Sequence, residues 1–385
     1  MGDQRIPFAL PDIGDAEVEA VVAAMRSGWV TTGPKVKQFE QEFAEQCGAG
    51  TTAVSVNSAT AGLHLALEAL GVGPGDEVLV PTWTFTASAE VVRYLGAEPV
   101  FVDVDAHTLN IDLQAAEAAV GDRTRAIIPV HFAGLPVPTS EIRTFAEANA
   151  LEVVEDAAHA FPAESGRLKV GSGDSAATVF SFYATKTITT GEGGMVVTRN
   201  EQIAERLRVM RLHGISRDAF DRYRSAIPAW RYEVVAPGYK YNLTDPAAAM
   251  GLVQLSRARQ MRDRRADIAA TYDAAFADLD LQLPARGSDT DLHSWHLYVV
   301  RVPATMNRDS FIEGLSDRGV GSSVHFIPLH LQPYWRDRGQ LSPASFPVAT
   351  AQFERVVSLP IFSSMSDAQV ARVVEAVRRV MGAAT

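Results

Sequence analysis

The stretch FSFYATKTITTGEGG, Phe180 to Gly194, ends an apolar, strand-like run with a single lysine, Lys186, followed by a glycine-rich turn. A lysine works as a nucleophile or proton carrier only where its surroundings lower its pKa, and taken alone Lys186 reads as a solvated surface charge. Asp156 closes LEVVED and precedes AAHA. In an open α/β sheet a carboxylate at a strand's carboxyl end faces a ligand site, and the alternative is a cap on the next helix. The third feature is SVNSATAGLHLAL, where small residues open a helix directly after a strand. Free backbone N–H groups there, with the Ser58 and Thr60 hydroxyls, suit a phosphate, although by itself the segment is equally a plain N-cap.

Taken together, the three features supply what pyridoxal phosphate (PLP) requires. That cofactor needs a lysine for covalent attachment, an acid partner for its pyridine nitrogen and a cup for its phosphate. The lysine must be partly deprotonated to attack, so it belongs in a pocket that lowers its pKa. A flat aromatic should cover the ring, and Phe85, in VPTWTFTAS just past another strand end, is placed to do so.

The elements that must position these residues follow an α/β grammar. TAVSV, DEVLVP, PVFVDVD, RAIIPVH and LEVVED, then ATVFSF and GMVVT, are short and nearly continuous apolar runs, as expected of strands covered on both faces of a largely parallel sheet. Between them the period changes to helical. After Gly14 and Asp15, residues Val18, Val21, Val22 and Met25 share one face, with Gly28 as the stop. Leu63, Leu67 and Leu70, widened by Ala66 and Ala69, predict a buried helix. From about Ser256 a charged helix, the strand-like HLYVVRV and a helix around DSFIEGLSDRG predict a smaller α+β domain. It ends on a capping box, Ser366 with Gln369, and a stripe of Val370, Val373, Val374, Val377 and Val380. The division is therefore a large domain over residues 1–255 and a small one over 256–385. An irregular, aromatic-rich loop at about 213–245 lies before the boundary, and loops of that length are functional or interfacial.

Composition bounds the rest. The 385 residues are 47% hydrophobic and 21% charged, the balance of an ordinary globular protein of two or three units. A net charge of -11 disfavours general nucleic-acid binding, although a local basic pocket for a phosphate-bearing ligand stays possible. Cys47 is the single cysteine, so neither an internal disulfide nor a zinc cluster is available and no metal is expected. Without a signal-like or membrane-spanning apolar run, the expected location is the cytoplasm. No GxGxxG follows a strand, which excludes the usual nicotinamide fingerprint.

Nearly the whole chain resembles the sugar aminotransferases of the DegT/DnrJ/StrS group. The resemblance is carried by SGWVTTGP, NSATAGLHLALEALGVGPGDEVLVP, IIPVHFAGLP, EDAAHA, FSFYATKTITTGEGG, PGYKYNLTD and SSVHFIPLHLQPYW. It implies a fold-type-I PLP transferase working as a homodimer with shared sites. Lys186 would be the Schiff-base lysine and proton carrier, Asp156 the partner of the pyridine nitrogen, and Phe85 the ring stacked on the cofactor. Ala59, Thr60 and Ser181 would hold the phosphate, with His159 near the ring oxygen. Asn242 would reach the phosphate of the neighbouring subunit's cofactor. Trp29 and Thr31 in GWVTTGP, and His325 in VHFIPLH, resemble segments lining the sugar pocket; a tight turn and a core histidine are the alternatives. Lys35 and Arg231 are candidates for the diphosphate of a nucleotide sugar.

The implied reaction is ping-pong transamination through pyridoxamine phosphate, from glutamate or glutamine to a nucleotide-linked keto sugar, at C4. A cyclitol aminotransferase, a PLP-dependent sugar dehydratase and a non-catalytic regulatory homologue are the alternatives. Relatives that remove a hydroxyl carry histidine where this chain has Lys186, which favours transamination. GWVTTGP, EDAAHA and PGYKYNLTD look most like the branch making 4-amino-4-deoxy-arabinose. That branch has tryptophan where Phe85 stands, and Thr187 replaces a common asparagine, so the substrate stays open.

Overall fold

The computed structural model describes residues 5–216 and 232–382. All seven expected strands form one sheet: β1 (Thr52–Val56), β2 (Glu77–Pro81), β3 (Glu98–Val102), β4 (Thr124–Ile127), β5 (Glu152–Asp156), β8 (Ala177–Ser181) and β9 (Gly194–Thr198). The short pair β6 (Glu164–Ser165) and β7 (Leu168–Lys169) stands apart from it. The order across the sheet is β1-β9-β8-β5-β4-β2-β3. Neighbours from β8 to β3 run parallel, and β9 alone runs against both its neighbours.

The apolar runs are nearly continuous because the sheet is covered on both faces. Val54, Val56, Val78, Val80, Val154, Val179 and Val196 point into one core with the helices α3 (Ala59–Ala69), α4 (Ala87–Tyr94) and α7 (Glu201–Met210). The alternate residues Ala53, Phe180, Met195 and Val197 pack on the other face against α2 (Pro34–Cys47). Leu79, Ile127 and Val153 do so against α5 (Leu113–Ala119) and α6 (Thr139–Asn149). Each fully buried Val, Leu or Phe contributes about 1.5–3 kcal/mol of burial, so this period-two alternation fixes the register. The expected burial of α3 holds, with Leu63, Ala66 and Leu67 at most 1% exposed.

A second core gathers Ile6, the strands β10 (Tyr298–Arg301) and β11 (Val356–Leu359), and the helices Arg308–Asp317 and Asp367–Val380. The last helix carries the Ser366–Gln369 capping box, and Val370, Val373 and Val377 are buried. One 32-residue helix, Asp245–Phe276, serves both cores. Ala248, Leu255, Ala258 and Met261 pack beneath the large sheet, whereas Ile268, Ala269, Tyr272 and Phe276 belong to the second core.

The helix α1 (Asp15–Arg26) forms where the periodicity puts it, but its Val18, Val22 and Met25 are exposed. The opposite face packs instead, because Glu17 accepts hydrogen bonds from Gln254 (2.8 Å) and Arg257 (2.6 Å) on the long helix. A satisfied carboxylate can be buried, and this one is.

Candidate active site

The carboxyl ends of three strands converge at the start of α3. Antiparallel pairing sets Val56 opposite Gly194 and Gly194 opposite Ser181, while parallel pairing sets Asp156 beside Val179. Ser58 caps α3 through the Ala61 amide (3.1 Å), so the Ala59 and Thr60 amides precede the first intrahelical acceptor and remain available. Gly194 lies so close that a Cβ there would sit 2.7 Å from the Ser58 carbonyl carbon and 2.8 Å from the Ala59 nitrogen. The last glycine of GEGG therefore lets the β9 backbone press against the helix start, and Gly191 turns the chain before it with φ of 79°.

Lys186 sits in the loop between β8 and β9. Phe182 N–H bonds the Gly193 carbonyl (2.9 Å) and Thr190 N–H bonds the Phe182 carbonyl (3.0 Å), closing the loop. The Gln254 side chain accepts from the Thr189 amide (3.2 Å) and ties the loop to the long helix. Within it, Lys186 N–H turns back on the Tyr183 carbonyl (3.0 Å). The Lys186 amine forms no hydrogen bond or ion pair with another described residue. Burial holds its pKa down at about 8, with the Asp156 carboxylate pulling it up and the Arg265 cation pushing it further down.

Asp156 is 6% exposed and held at both oxygens. One accepts from the Ala158 amide (3.1 Å), the other from the Ser88 hydroxyl (2.8 Å). Ser88 is in turn 2.8 Å from the Thr84 hydroxyl, and Thr84 directly precedes Phe85. A buried hydroxyl chain thus ties the Asp156 carboxylate to the residue that precedes the aromatic. Sequence reasoning missed Ser88 and Thr84; the small hydroxyls of TFTAS at a strand end were the available signal.

A single cavity of about 560 Å³ is lined by Ala59, Thr60, Phe85, Asp156, His159, Ser181, Lys186 and His325 among others. These residues span the chain from the first strand to the second core. Phe85 is 58% exposed, its ring open to the cavity and 6.1 Å from the Phe326 ring. His325 bonds Ser358 through Nδ1 (3.0 Å) and stacks on Phe8 at 5.2 Å. Phe8, His296 and Phe326 also line the cavity and were missed, because their contacts with the sheet cross most of the chain length.

His159 and His296 stack with centroids 4.3 Å apart, and Nδ1 of each is buried without a hydrogen-bond partner. Such a group costs about 1–3 kcal/mol when left unsatisfied. Burial, then the Lys186 charge, holds both imidazoles well below their ordinary pKa, and the same two causes bring His325 to about 4. These three rings are neutral near neutral pH.

The remaining sequence candidates form a second group that does not line this cavity. Asn242 donates to Thr32 Oγ1 (2.8 Å), and Thr32 donates to the Leu243 carbonyl (2.7 Å). Asp245 accepts from the Lys35 and Val36 amides (3.1 and 3.0 Å), and its own amide bonds the Thr31 carbonyl (2.9 Å). GWVTTGP, with Trp29, is therefore joined to YNLTD, and a Cβ at Gly33 would meet Asp245 at 2.7 Å and Trp29 at 2.9 Å. Lys35 Nζ bonds Gln38 (3.0 Å). Arg231, with residues 217–231 of the expected partner-contacting loop, lies outside the described residues. Among the described residues no group of His, Cys, Asp and Glu could hold a metal, and no helix is long and apolar enough to cross a membrane.

The sequence profile of the DegT/DnrJ/EryC1/StrS aminotransferase family matches residues 11–378. The chain is similar to the spore coat polysaccharide biosynthesis protein SpsC of Bacillus subtilis, with 46% identity over 98% of this chain and 97% of that protein. Among solved structures it is similar to a sugar aminotransferase of Streptococcus pneumoniae in its PMP form (TM-score 0.90, 36% identity, 98% of this chain and 99% of that one). It is also similar to Helicobacter pylori PseC, an aminotransferase of pseudoaminic acid biosynthesis (TM-score 0.89, 27% identity, 98% and 100% covered).

Proposed function

The chain belongs to the DegT/DnrJ/EryC1/StrS aminotransferase family and is a PLP-dependent sugar aminotransferase, and from that premise we propose that it moves the amino group of glutamate to C4 of a nucleotide-linked keto sugar. The observation that carries the site assignment is Lys186, a half-buried amine without a partner among the described residues, in one cavity with Asp156 and the open start of α3.

The residues present fit PLP. The Gly194 cradle and the Ala59 and Thr60 amides, with Ser181, form a phosphate cup at a helix start. When bound, the cofactor supplies an electron sink that takes the amino group from the donor and delivers it to the acceptor carbon. Asp156, held by Ala158 and Ser88, keeps a proton on the pyridine nitrogen. Phe85, which lines the cavity with its ring exposed, would stack on the cofactor. Lys186, whose amine has a pKa of about 8 in the cofactor-free protein, would take the proton from the donor's α-carbon and hand it to the cofactor, then in the second half-reaction take it back and give it to the acceptor carbon, since a base near the working pH is the most effective. The buried His159 and His296 rings form the wall that restricts water.

The names of the relatives support a sugar acceptor: SpsC is assigned to polysaccharide biosynthesis and PseC to pseudoaminic acid biosynthesis. A homodimer is supported by the exposed apolar residues Leu10, Ile13, Val18, Met25 and Val30. Asn242, Trp29 and Thr31, which do not line the cavity of their own chain, then serve the partner's site. The test is optical. Glutamate should bleach the absorbance of the PLP-loaded protein, and a UDP- or dTDP-linked 4-keto sugar should restore it. Bleaching by no amino acid, or restoration by no keto sugar, would remove this reading.

A further inference from the structure

The reaction requires a place for the carboxylate of the amino donor, and none of the roles above provides one. His296, just before β10, is 6% exposed, borders the cavity and keeps Nδ1 without a partner among the described residues. Its ring lies against His159, whose Nδ1 is likewise unpartnered. Its backbone carbonyl is held by Arg265, which donates to the carbonyls of His296 (3.3 Å), Trp295 (3.4 Å) and Ile361 (2.7 Å). Arg265 is 3% exposed and makes no ion pair with a carboxylate among the described residues. The Asp12 carboxylate acts on it through space without an ion pair, so the guanidinium, held directly by carbonyl dipoles, leaves a positive potential at the wall it supports.

The groups that act on His296 come from every element around it: Lys186 from the β8–β9 loop, His159 after β5, Arg265 on the long helix and His325 after the Arg308–Asp317 helix. Burial has the larger effect on the imidazole; of these groups Lys186 and Arg265 carry the positive charge that opposes a proton on it, whereas the neutral His159 and His325 rings would add to that only if protonated. The positive charge of Lys186 and Arg265, as distinct from burial, favours an anion beside the unpartnered imidazole. A neutral sugar hydroxyl would satisfy the imidazole N–H but leave that charge uncompensated; a carboxylate does both.

We propose that His296 binds the α-carboxylate of the amino donor, in a subsite whose far wall is fixed by Arg265. The inference rests on the assignment of this cavity to the cofactor and its amino donor. The subsite adjoins Lys186, which sets the donor's α-carbon beside the amine that moves its proton.

The test is a spectral titration of the PLP-loaded protein with glutarate, a dicarboxylate that cannot transaminate. The wild type should show a saturable shift of the cofactor band. In His296→Leu the half-saturating concentration should rise about tenfold or more, and His296→Gln, which keeps an N–H, should recover part of the loss. Equal half-saturation in wild type and His296→Leu, or no saturable shift in the wild type, overturns the proposal. Loss of the cofactor band in His296→Gln would assign the residue to the cofactor and overturn it as well. A wild type that binds glutarate through His296 but is bleached by no amino acid would count against the proposed donor alone. Bleaching by glutamate at the same half-saturation in His296→Leu would count against this subsite alone.

Discussion

The Lys186 amine, with its pKa brought from 10.5 to about 8, has a directly measurable consequence in how fast the protein without cofactor captures PLP. Only the neutral amine attacks. At about pH 7.5 a group of pKa 8 is neutral in about one molecule in four, against about one in a thousand for an unperturbed lysine, an advantage of roughly 200-fold. Stopped-flow absorbance should show the attachment rate rising about tenfold per pH unit below pH 7 and levelling above roughly pH 8.5. The Asp156 carboxylate favours the charged amine, so Asp156→Asn should move the break to lower pH, and Lys186→Ala should show no covalent attachment. A rate that kept climbing tenfold per unit to about pH 10 would refute the idea that burial and Arg265 have already released the proton.

The same shift bears on stability. Between pH 8 and 10.5 the unfolded chain holds a proton that folded Lys186 has lost, so the cofactor-free protein gains stability as pH rises through that window and bears the full cost below it. Urea unfolding near pH 7 should therefore find cofactor-free Lys186→Met more stable than wild type by about 2–3 kcal/mol, with the gap closing towards pH 10.5; the absence of a gap would contradict it. Ser88→Ala removes a hydroxyl bond to the Asp156 carboxylate and leaves Thr84 unmatched, a loss of about 1.5–3 kcal/mol, so the Kd for PLP should rise about ten- to a hundredfold by equilibrium titration. An unchanged Kd would leave the hydroxyl chain without a part in holding Asp156. Mixing refolded Lys186→Ala and Asn242→Ala proteins should restore about a quarter of wild-type activity if each site borrows Asn242 from the partner, because one of two sites in a mixed dimer is intact; no recovery would argue that sites are not shared.

Much of the fold was legible in the sequence. The seven strands stand out because both sheet faces are covered, which turns each strand into an apolar run. The reversal of β9 was not legible, since GMVVT carries no mark of direction; its antiparallel course is what brings Gly194 against Ser58. The face that α1 packs was not legible for a related reason. Periodicity locates Val18, Val22 and Met25 on one stripe, but Glu17 is buried by Gln254 and Arg257, more than two hundred positions away. At the site, Lys186, Asp156 and Phe85 were readable because each ends or follows a strand of one sheet, whereas Ser181 entered through the family resemblance. Ser88 and His296 were not, because their roles arise only where α4 meets β5 and where the second core closes over the sheet.

The central claim is tested most directly by following nitrogen. The PLP-loaded protein would be incubated with 15N-glutamate and a panel of UDP- and dTDP-linked 4-keto and 3-keto sugars, and the sugar products weighed by mass spectrometry. The account predicts a nucleotide amino sugar carrying 15N, formed from a 4-keto acceptor by the wild type and absent with Lys186→Ala. A product without nitrogen, or sustained 15N transfer by Lys186→Ala, would contradict it.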